Sequence, residues 1–181
     1  MNRKTLSVPA TLLAIAGLLC ATRPVGAESS PCSGPEWKAL DFWVGEWRAT
    51  WPGTPGNPAG SATNRIEKIL GGCVVSENFT GDGENALVGK SWSTYEPKTK
   101  AWRQTWVDNQ ASYLDFTGDF SHPNEKIFAM DAKGPDGRPV KLRMVFKNIG
   151  KDAFDWSWER SADGGKSWEV RWPIHYTRKK R

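Results

Sequence analysis

Two carboxylates stand in segments where aromatic and apolar residues alternate with polar ones, and these surroundings could support chemistry. Glu77 lies in GGCVVSENF at residues 71–79, and Asp108 ends AWRQTWVD at residues 101–108. Residues two apart on a β-strand share a face. The residues on those faces are Cys73, Val75 and Phe79 for Glu77, and Trp102, Gln104 and Trp106 for Asp108. On an internal face, such a carboxyl group can bind the polar end of a ligand or transfer protons.

A structural role is the alternative for both carboxylates. Burying a carboxylate without a partner is costly, and Arg143 or Arg103 from other strands could supply the opposite charge. Such an ion pair would fix the register of neighbouring strands, and we favour this interpretation. A ligand-binding role for Glu77, Gln104, Asp108 and Arg143 stays open on the sequence alone.

Eleven tryptophans make up the other prominent signal. Each indole can bury a large area and still use its N–H as a directional donor, which suits both a core and an aromatic ligand cavity. Core packing is the expected role of most of them. We place Trp47, Trp92, Trp106 and Trp158 in a ligand pocket.

The known catalytic and metal motifs are weak or incomplete. SADGGKSW at 161–168 matches the Asp-box of sialidase propellers but occurs once, so it predicts a hairpin turn against which Trp168 packs. VGKSWS at 88–93 lacks the second glycine of a nucleophile elbow. Two histidines, His122 and His175, cannot form a three-histidine zinc site. We therefore name no catalytic residue and no metal ligand.

Ten short segments, closed by Gly, Pro, Asn or Asp, position these residues. VKLRMVF at 140–146 shows the alternation best, with its apolar face expected to point inward. The predicted strands lie near Trp47–Trp51, Ser61–Ile69, Cys73–Thr80, Leu87–Tyr95, Ala101–Asp108, Ser112–Phe120, Lys126–Lys133, Val140–Lys147, Phe154–Arg160 and Ser167–Thr177.

The predicted fold is all-β: an antiparallel up-and-down barrel of about ten strands, with a sandwich as the alternative. A barrel of this size leaves room inside for one small ligand. GPEWKALDFW at 34–43 predicts a short helix that starts at Pro35, ends near Gly45 and closes one end. Trp43 and Trp47 would then belong to different elements that meet at a mouth of the barrel.

The first 27 residues predict a secretory signal peptide. Arg3 and Lys4 precede an apolar run that is too short to span a bilayer, and small residues follow up to Ala27. Cleavage there leaves residues 28–181 as one domain without a stable membrane anchor. We expect a periplasmic or secreted protein.

Cysteine and charge usage agree with export. Removing Cys20 with the signal leaves Cys32 and Cys73, and we hypothesise that they form a disulfide. Three of the 25 Lys and Arg residues lie in the signal, which leaves 22 against 20 acidic residues. Since four of those basic residues form the C-terminal tail, the body has no basic surplus for nucleic acid.

Several stretches of the mature chain resemble the lipocalin-like family numbered 1579 among the domains of unknown function. The matching stretches are DFWVGEW at 41, GGCVVSENF at 71, STYEPKTKAWRQTWVDN at 93, DGGKSW at 163 and YTRK at 176. This resemblance implies a closed barrel of the calycin type. It implies no agreed activity and no catalytic residues.

WVGEW at 43–47 also resembles, more weakly, the N-terminal signature of the haem-binding nitrobindins. That resemblance implies a haem ligand near the C-terminus, where His175 lies. However, Trp172, Ile174 and Tyr176 form the more apolar face of the last strand, so His175 should point outward. We therefore predict no haem and no other cofactor.

The expected function is non-enzymatic binding of a small apolar or aromatic molecule inside an exported barrel. One alternative is a lipocalin-like barrel enzyme, an isomerase or a hydrolase, that uses Glu77 or Asp108. The other is haem binding through His175.

Overall fold

A computed structural model describes residues 31–53 and 58–180 of the chain. The predicted signal peptide at 1–27 lies outside these residues. All ten strands predicted from the alternation are present, within a few residues of their expected bounds. They are β1 (Gly45–Trp51), β2 (Gly60–Ile69), β3 (Val74–Gly81), β4 (Val88–Glu96), β5 (Ala101–Asp108), β6 (Tyr113–Asp119), β7 (Lys126–Lys133), β8 (Pro139–Lys147), β9 (Ala153–Ser161) and β10 (Glu169–Arg178).

The ten strands form a closed barrel in which every strand runs antiparallel to its two neighbours in the barrel. Closure comes from β1 and β10, which pair with Ala49 opposite Tyr176 and Thr50 opposite His175. This pairing leaves neither strand as an open edge, which is the usual way that a long meander avoids intermolecular strand pairing. The predicted all-β barrel is confirmed.

Alternation decides which side chains face inward. On β8, Met144 and Phe146 are buried inside the barrel, whereas Lys141 and Arg143 lie on the outer face, as the sequence predicts. On β10, Ile174 and Tyr176 are buried and His175 is exposed. Because the period of a strand is two residues, each of these assignments fixes the orientation of its whole strand.

The predicted N-terminal helix is wrong. Residues Pro35–Lys38 form a single 3₁₀ turn, and the chain continues through further turns to Trp43. Its backbone bonds join residues three apart, as in Asp41 N–H to Lys38 O and Trp43 N–H to Leu40 O. The segment buries Leu40 and Trp43 against the barrel, and it adopts turns that follow the barrel end instead of a regular helix.

Two cross-links hold this N-terminal segment in place. The hypothesised disulfide is present between Cys32 and Cys73. At the other side, the Arg178 guanidinium donates to the carbonyls of Phe42 and Val44 at 3.1 and 2.9 Å. It also stacks over the Trp47 ring at 4.0 Å. The segment therefore closes the end of the barrel at which β1 begins and β10 finishes.

Gly45, the first residue of β1, lies next to this closing segment. Its φ of 139° is a conformation that side chains disfavour, and a Cβ there would collide with Arg178 Nη1. The glycine lets the chain turn sharply from the closing segment into β1. Trp43 and Trp47 thus belong to different elements, as predicted, and they meet where Trp47 Nε1 donates to the Trp43 carbonyl at 2.7 Å.

Candidate functional site

A cavity of about 240 Å³ lies inside the barrel, beyond the aromatic layer of the closed end. It extends toward the opposite end, where β5 finishes and β6 begins, since Asp108 and Leu114 both line it. Its wall is mostly aromatic and aliphatic. The aromatic part of the wall comprises Trp43, Phe79, Trp106, Phe116, Phe146, Trp156, Trp158, Trp172 and Tyr176.

Small residues on β4 make space for this wall. Gly89 faces inward opposite Asp108, and a Cβ at Gly89 would overlap the Trp106 ring. Ser91 and Ser93, the next inward residues on β4, are fully buried. Glycine and serine at three successive inward positions let the Trp106 indole lie flat against the strand and leave room for polar contacts.

One carboxyl group, Glu77, is deeply buried in the wall, with 7% of its surface exposed. Asn64 Nδ2 donates to Oε1 at 2.7 Å, and Ser91 Oγ donates to Oε2 at 2.6 Å. The Tyr176 hydroxyl lies 3.5 Å from the same Asn64 nitrogen. Glu77 is therefore held directly by β2 and β4 through uncharged groups, and β10 reaches it only through Asn64.

Burial raises the pKa of Glu77 above its ordinary value, because desolvation penalises the charged form. The hydrogen bonds from Ser91 and Asn64 oppose this effect but do not overcome it. The pKa of Tyr176 is also raised, first by burial and then by the nearby Glu77 carboxyl. The deep end of the cavity therefore favours neutral side chains when nothing charged binds there.

Asp108 behaves differently, although it lines the same cavity. Burial opposes its ionisation, but donors from Trp106, Ser112 and Gln110 outweigh burial and hold the pKa of Asp108 below its ordinary value. Trp106 Nε1 lies 2.9 Å from Oδ2, and the Gln110 and Ser112 N–H groups bond Oδ1. Asp108 thus carries a stable negative charge, orients the Trp106 ring and ties the β5–β6 loop.

A family model described as a protein of unknown function, DUF1579, matches residues 33–178. That range runs from the closing segment to the last residue of β10. The chain belongs to the DUF1579 family. No curated protein matches it significantly.

The DUF1579 barrel brings five of the eight predicted site residues to one cavity. Those lining residues are Glu77, Gln104, Trp106, Asp108 and Trp158. Trp47 is fully buried but packs in the closed end, against Phe154 at 4.8 Å between ring centroids. Trp92 is 39% exposed on the outer face of β4, since Ser91 and Ser93 take the inward positions.

Arg143 lies outside the barrel and does not pair with Glu77. Its guanidinium bonds Glu159, directly opposite on β9, with Nη2 and Oε2 2.6 Å apart. Arg103, the other proposed partner, pairs with Asp115 on the outer face. The expectation of an internal ion pair at Glu77 is therefore wrong. Strand parity excludes it, because both arginines alternate with inward-facing neighbours.

Several lining residues of the DUF1579 barrel escaped the sequence-based choice. Trp156 and Trp172 share strand faces with Trp158 and Ile174, so parity alone could have identified them. Asn64 and Ser91 reach Glu77 only because of the register of β2, β3 and β4, and that register cannot be read from the sequence. Trp43 comes from the closing segment, where no strand pattern applies.

His175 lies on the outer face of β10, with 55% of its side chain exposed. Its Nδ1 is 2.7 Å from Asp155 Oδ1 on the neighbouring strand. Trp172, Ile174 and Tyr176 line the cavity instead, which confirms the predicted parity. His175 therefore cannot serve as an axial ligand to a haem inside the DUF1579 barrel.

Residues 31–53 and 58–180 contain neither a metal-binding cluster nor a membrane-spanning helix. Within them, no group of three or more His, Cys, Asp or Glu side chains is arranged to hold a metal ion. None of the helical segments in these ranges has the length and apolar character needed to cross a bilayer.

Proposed function

We propose that this DUF1579 protein is an exported, single-domain barrel of the lipocalin-like type that binds a small apolar or aromatic molecule. The observation that carries the proposal is the aromatic-walled cavity with a few polar groups, since ligand sites have this composition. The Cys32–Cys73 disulfide supports an oxidising compartment, and the signal-like residues 1–27 support export.

The volume of the cavity limits the size of the ligand. An apolar cavity of about 150 Å³ in a protein core is large enough to bind benzene. A cavity of about 240 Å³ suits a molecule of one or two fused rings or a short branched chain. Long acyl chains or a haem macrocycle are poor fits to this volume.

Polar groups on the wall would orient the ligand. Gln104 and Glu77 lie in its deeper part on β5 and β3, and Asp108 lies near the end of β5. Apolar contact with the indoles supplies the affinity, at about 25 cal/mol for each Å² removed from water. The polar groups then fix the direction in which the molecule enters.

Calorimetric titration with 2-naphthylmethanol, a neutral bicyclic probe, tests the proposal. Leu87→Trp adds an indole to the wall, whereas Val88→Trp adds the same indole to the outer face, where Val88 is exposed. We expect saturable binding that Leu87→Trp weakens and Val88→Trp leaves unchanged. Equal loss in both variants, or no binding to the wild type, contradicts it. Native mass spectrometry of protein from its source would identify the natural ligand.

A second candidate function is acid–base catalysis, and one observation favours it. Glu77 is a buried carboxyl group with a raised pKa on the wall of a cavity, as in many general acids and bases. An isomerase or hydrolase of this kind would lose turnover in Glu77→Gln while retaining substrate affinity. If a substrate is found and the Glu77→Gln variant turns it over at the wild-type rate, Glu77 is not the acid or base.

A further inference from the structure

The charges on the cavity wall have one sign. Among the described residues that line the cavity, Glu77 and Asp108 are the acidic side chains, and none is Lys, Arg or His. Arg178 has an inward position on β10, but its guanidinium donates to the carbonyls of Phe42 and Val44 at the closed end. Arg160 follows Trp158 at the next inward position of β9 but is not part of the wall.

Two donors on the wall are already engaged. Trp106 Nε1 donates to Asp108, and Gln104 Nε2 donates to Ser93. Trp43 Nε1 has no protein partner within the described ranges, yet that atom is itself buried behind the wall surface. An anionic ligand would therefore meet two carboxyl groups and, among the described lining residues, no cationic side chain to balance its charge.

Glu77 retains the capacity to accept. Each carboxylate oxygen can take two hydrogen bonds, and the described contacts use one on Oε1 and one on Oε2. The groups around it, Asn64, Ser91 and Tyr176, carry no positive charge, so the charged form of Glu77 lacks a counter-ion within the protein. A cation delivered by a ligand would supply that counter-ion and offset the desolvation of Glu77.

Aromatic faces favour the same kind of group. Trp106, Trp156, Trp158 and Trp172 line the cavity beside the carboxyl groups, and indoles are the best aromatic partners for a cation. Trp156 and Trp172 meet edge to face, with centroids 5.8 Å apart. Aromatic faces of this kind are a recurring way in which proteins bind ammonium groups.

We infer that the cavity selects an organic cation: a one- or two-ring molecule that carries a protonated amine, which binds Glu77 while its apolar body packs on the indoles. This inference rests on the proposed binding function and names its ligand class. Carboxylic acids of the same shape are rejected, because they would place like charges together in a mostly apolar site.

Three probes with one apolar body test the selection: 2-naphthylmethylamine, 2-naphthylmethanol and 2-naphthoic acid. Calorimetric titration of the full mature protein at neutral pH gives the three dissociation constants. We expect the amine to bind about tenfold more tightly than the alcohol, which corresponds to a cation–π contact plus a charge pair. The acid should bind at least about tenfold more weakly than the alcohol.

Two variants identify the group responsible. Glu77→Gln keeps the shape of the side chain but removes its charge, so the ratio of amine to alcohol affinity should fall toward one. Glu84→Gln is the matched control, because Glu84 is an exposed carboxylate in the β3–β4 loop at the same end as Asp108. The ratio should stay at its wild-type value in Glu84→Gln.

The outcomes separate this inference from the proposed function. If the alcohol binds in the cavity but the amine binds no more tightly, or the acid binds best, cation selection is wrong and ligand binding stands. An amine preference that survives Glu77→Gln also overturns the inference, since Asp108 or diffuse surface charge would then explain it. If none of the three probes binds, the proposed function itself fails.

Discussion

Among the described residues, two glutamates are buried in strands, and their carboxylates have opposite kinds of partner. Glu77 on β3 faces into the barrel, with 7% of its surface exposed, and uncharged Asn64 and Ser91 hold it. Glu159 on β9 faces outward, with 4% exposed, and Arg143 and Ser157 hold it. Only the outer glutamate has a cation.

This difference shows where the fold tolerates an incomplete charge pair. The outer pair is complete: Arg143 bonds Glu159, and the Trp168 ring covers the Arg143 guanidinium at 3.9 Å. Trp168 is held by the turn that follows Ser161, through its own donation to Gly165. A complete pair of this kind stabilises strand register. The inner glutamate, on the wall of a cavity, lacks such a partner and is the one suited to a ligand.

Breaking the outer pair should have the largest effect on stability. Arg143→Met leaves Glu159 buried without a counter-charge, so the free energy of unfolding should fall by about 3 kcal/mol. Urea denaturation measures it. Arg103→Met, which breaks the exposed pair with Asp115, should cost less than about 1 kcal/mol.

A double variant checks the cause of that loss. Arg143→Met with Glu159→Met removes both charges and should recover most of the stability, since apolar side chains can replace a buried ion pair. If the double variant is as unstable as Arg143→Met alone, the loss reflects packing and the contrast with Glu77 disappears.

The raised pKa of Glu77 should appear in the pH dependence of the free energy of unfolding. Its folded-state pKa is raised above the ordinary 4.5, so the folded protein holds a proton that the unfolded chain releases. The stability from this group is fully present below pH 4.5 and is lost as pH rises through the folded pKa, at about 1.4 kcal/mol per pH unit. Glu77→Gln should remove this decline in urea titrations.

Asp108 supplies the control of opposite sign. Tyr176 and Asp108 are the titratable groups that share the wall with Glu77, and Tyr176 stays neutral because its pKa is raised. The pKa of Asp108 is lowered, so its contribution is present above pH 3.8 and is lost as pH falls. Asp108→Asn should therefore flatten the acid side only. A decline that persists in Glu77→Gln would contradict the assignment to Glu77.

Removing the Trp168 ring, which covers Arg143, should lower the free energy of unfolding less than removing Arg143 itself. Trp168→Ala deletes the ring over Arg143 and should lower the free energy of unfolding by about 1 kcal/mol. Trp168→Phe keeps an aromatic face but loses the bond to the Gly165 carbonyl, so its cost should be smaller. Equal losses in thermal unfolding would mean that the aromatic face contributes nothing.

His175→Gln should have the smallest effect. The exposed pair of His175 and Asp155 lies on the outer face, and exposed pairs contribute under about 1 kcal/mol. Binding of 2-naphthylmethanol should match the wild type, since His175 does not line the cavity. A measurable loss of affinity in calorimetry would mean that His175 contacts the ligand, which would contradict its assignment to the outer face.

Much of the barrel could be predicted from local pattern. The turn residues and the alternation on β8 and β10 place all ten strands and orient Ile174 and His175 correctly, because one apolar face specifies a whole strand. The closing segment could not be predicted in this way. Its apolar spacing suits a helix, but Arg178 and the Cys32–Cys73 bridge hold it in turns.

The candidate site was predictable only in part. Glu77 and Asp108 were identifiable as carboxylates on aromatic faces, and both line the cavity. Trp92 was misplaced because its large indole outweighed the parity of VGKSWSTYE, in which Ser91 and Ser93 point inward. Arg143 was misplaced for a related reason, since its charge suited Glu77 while its parity did not.

By itself, the sequence determined the strands, their inward faces and the acidic, aromatic character of the interior, because each depends on neighbours two residues apart. Tertiary structure decided which groups meet. Strand register brings Asn64 and Ser91 to Glu77 and sets Arg143 opposite Glu159. Register and closure depend on pairing between strands distant in the chain, so local alternation carries no record of them.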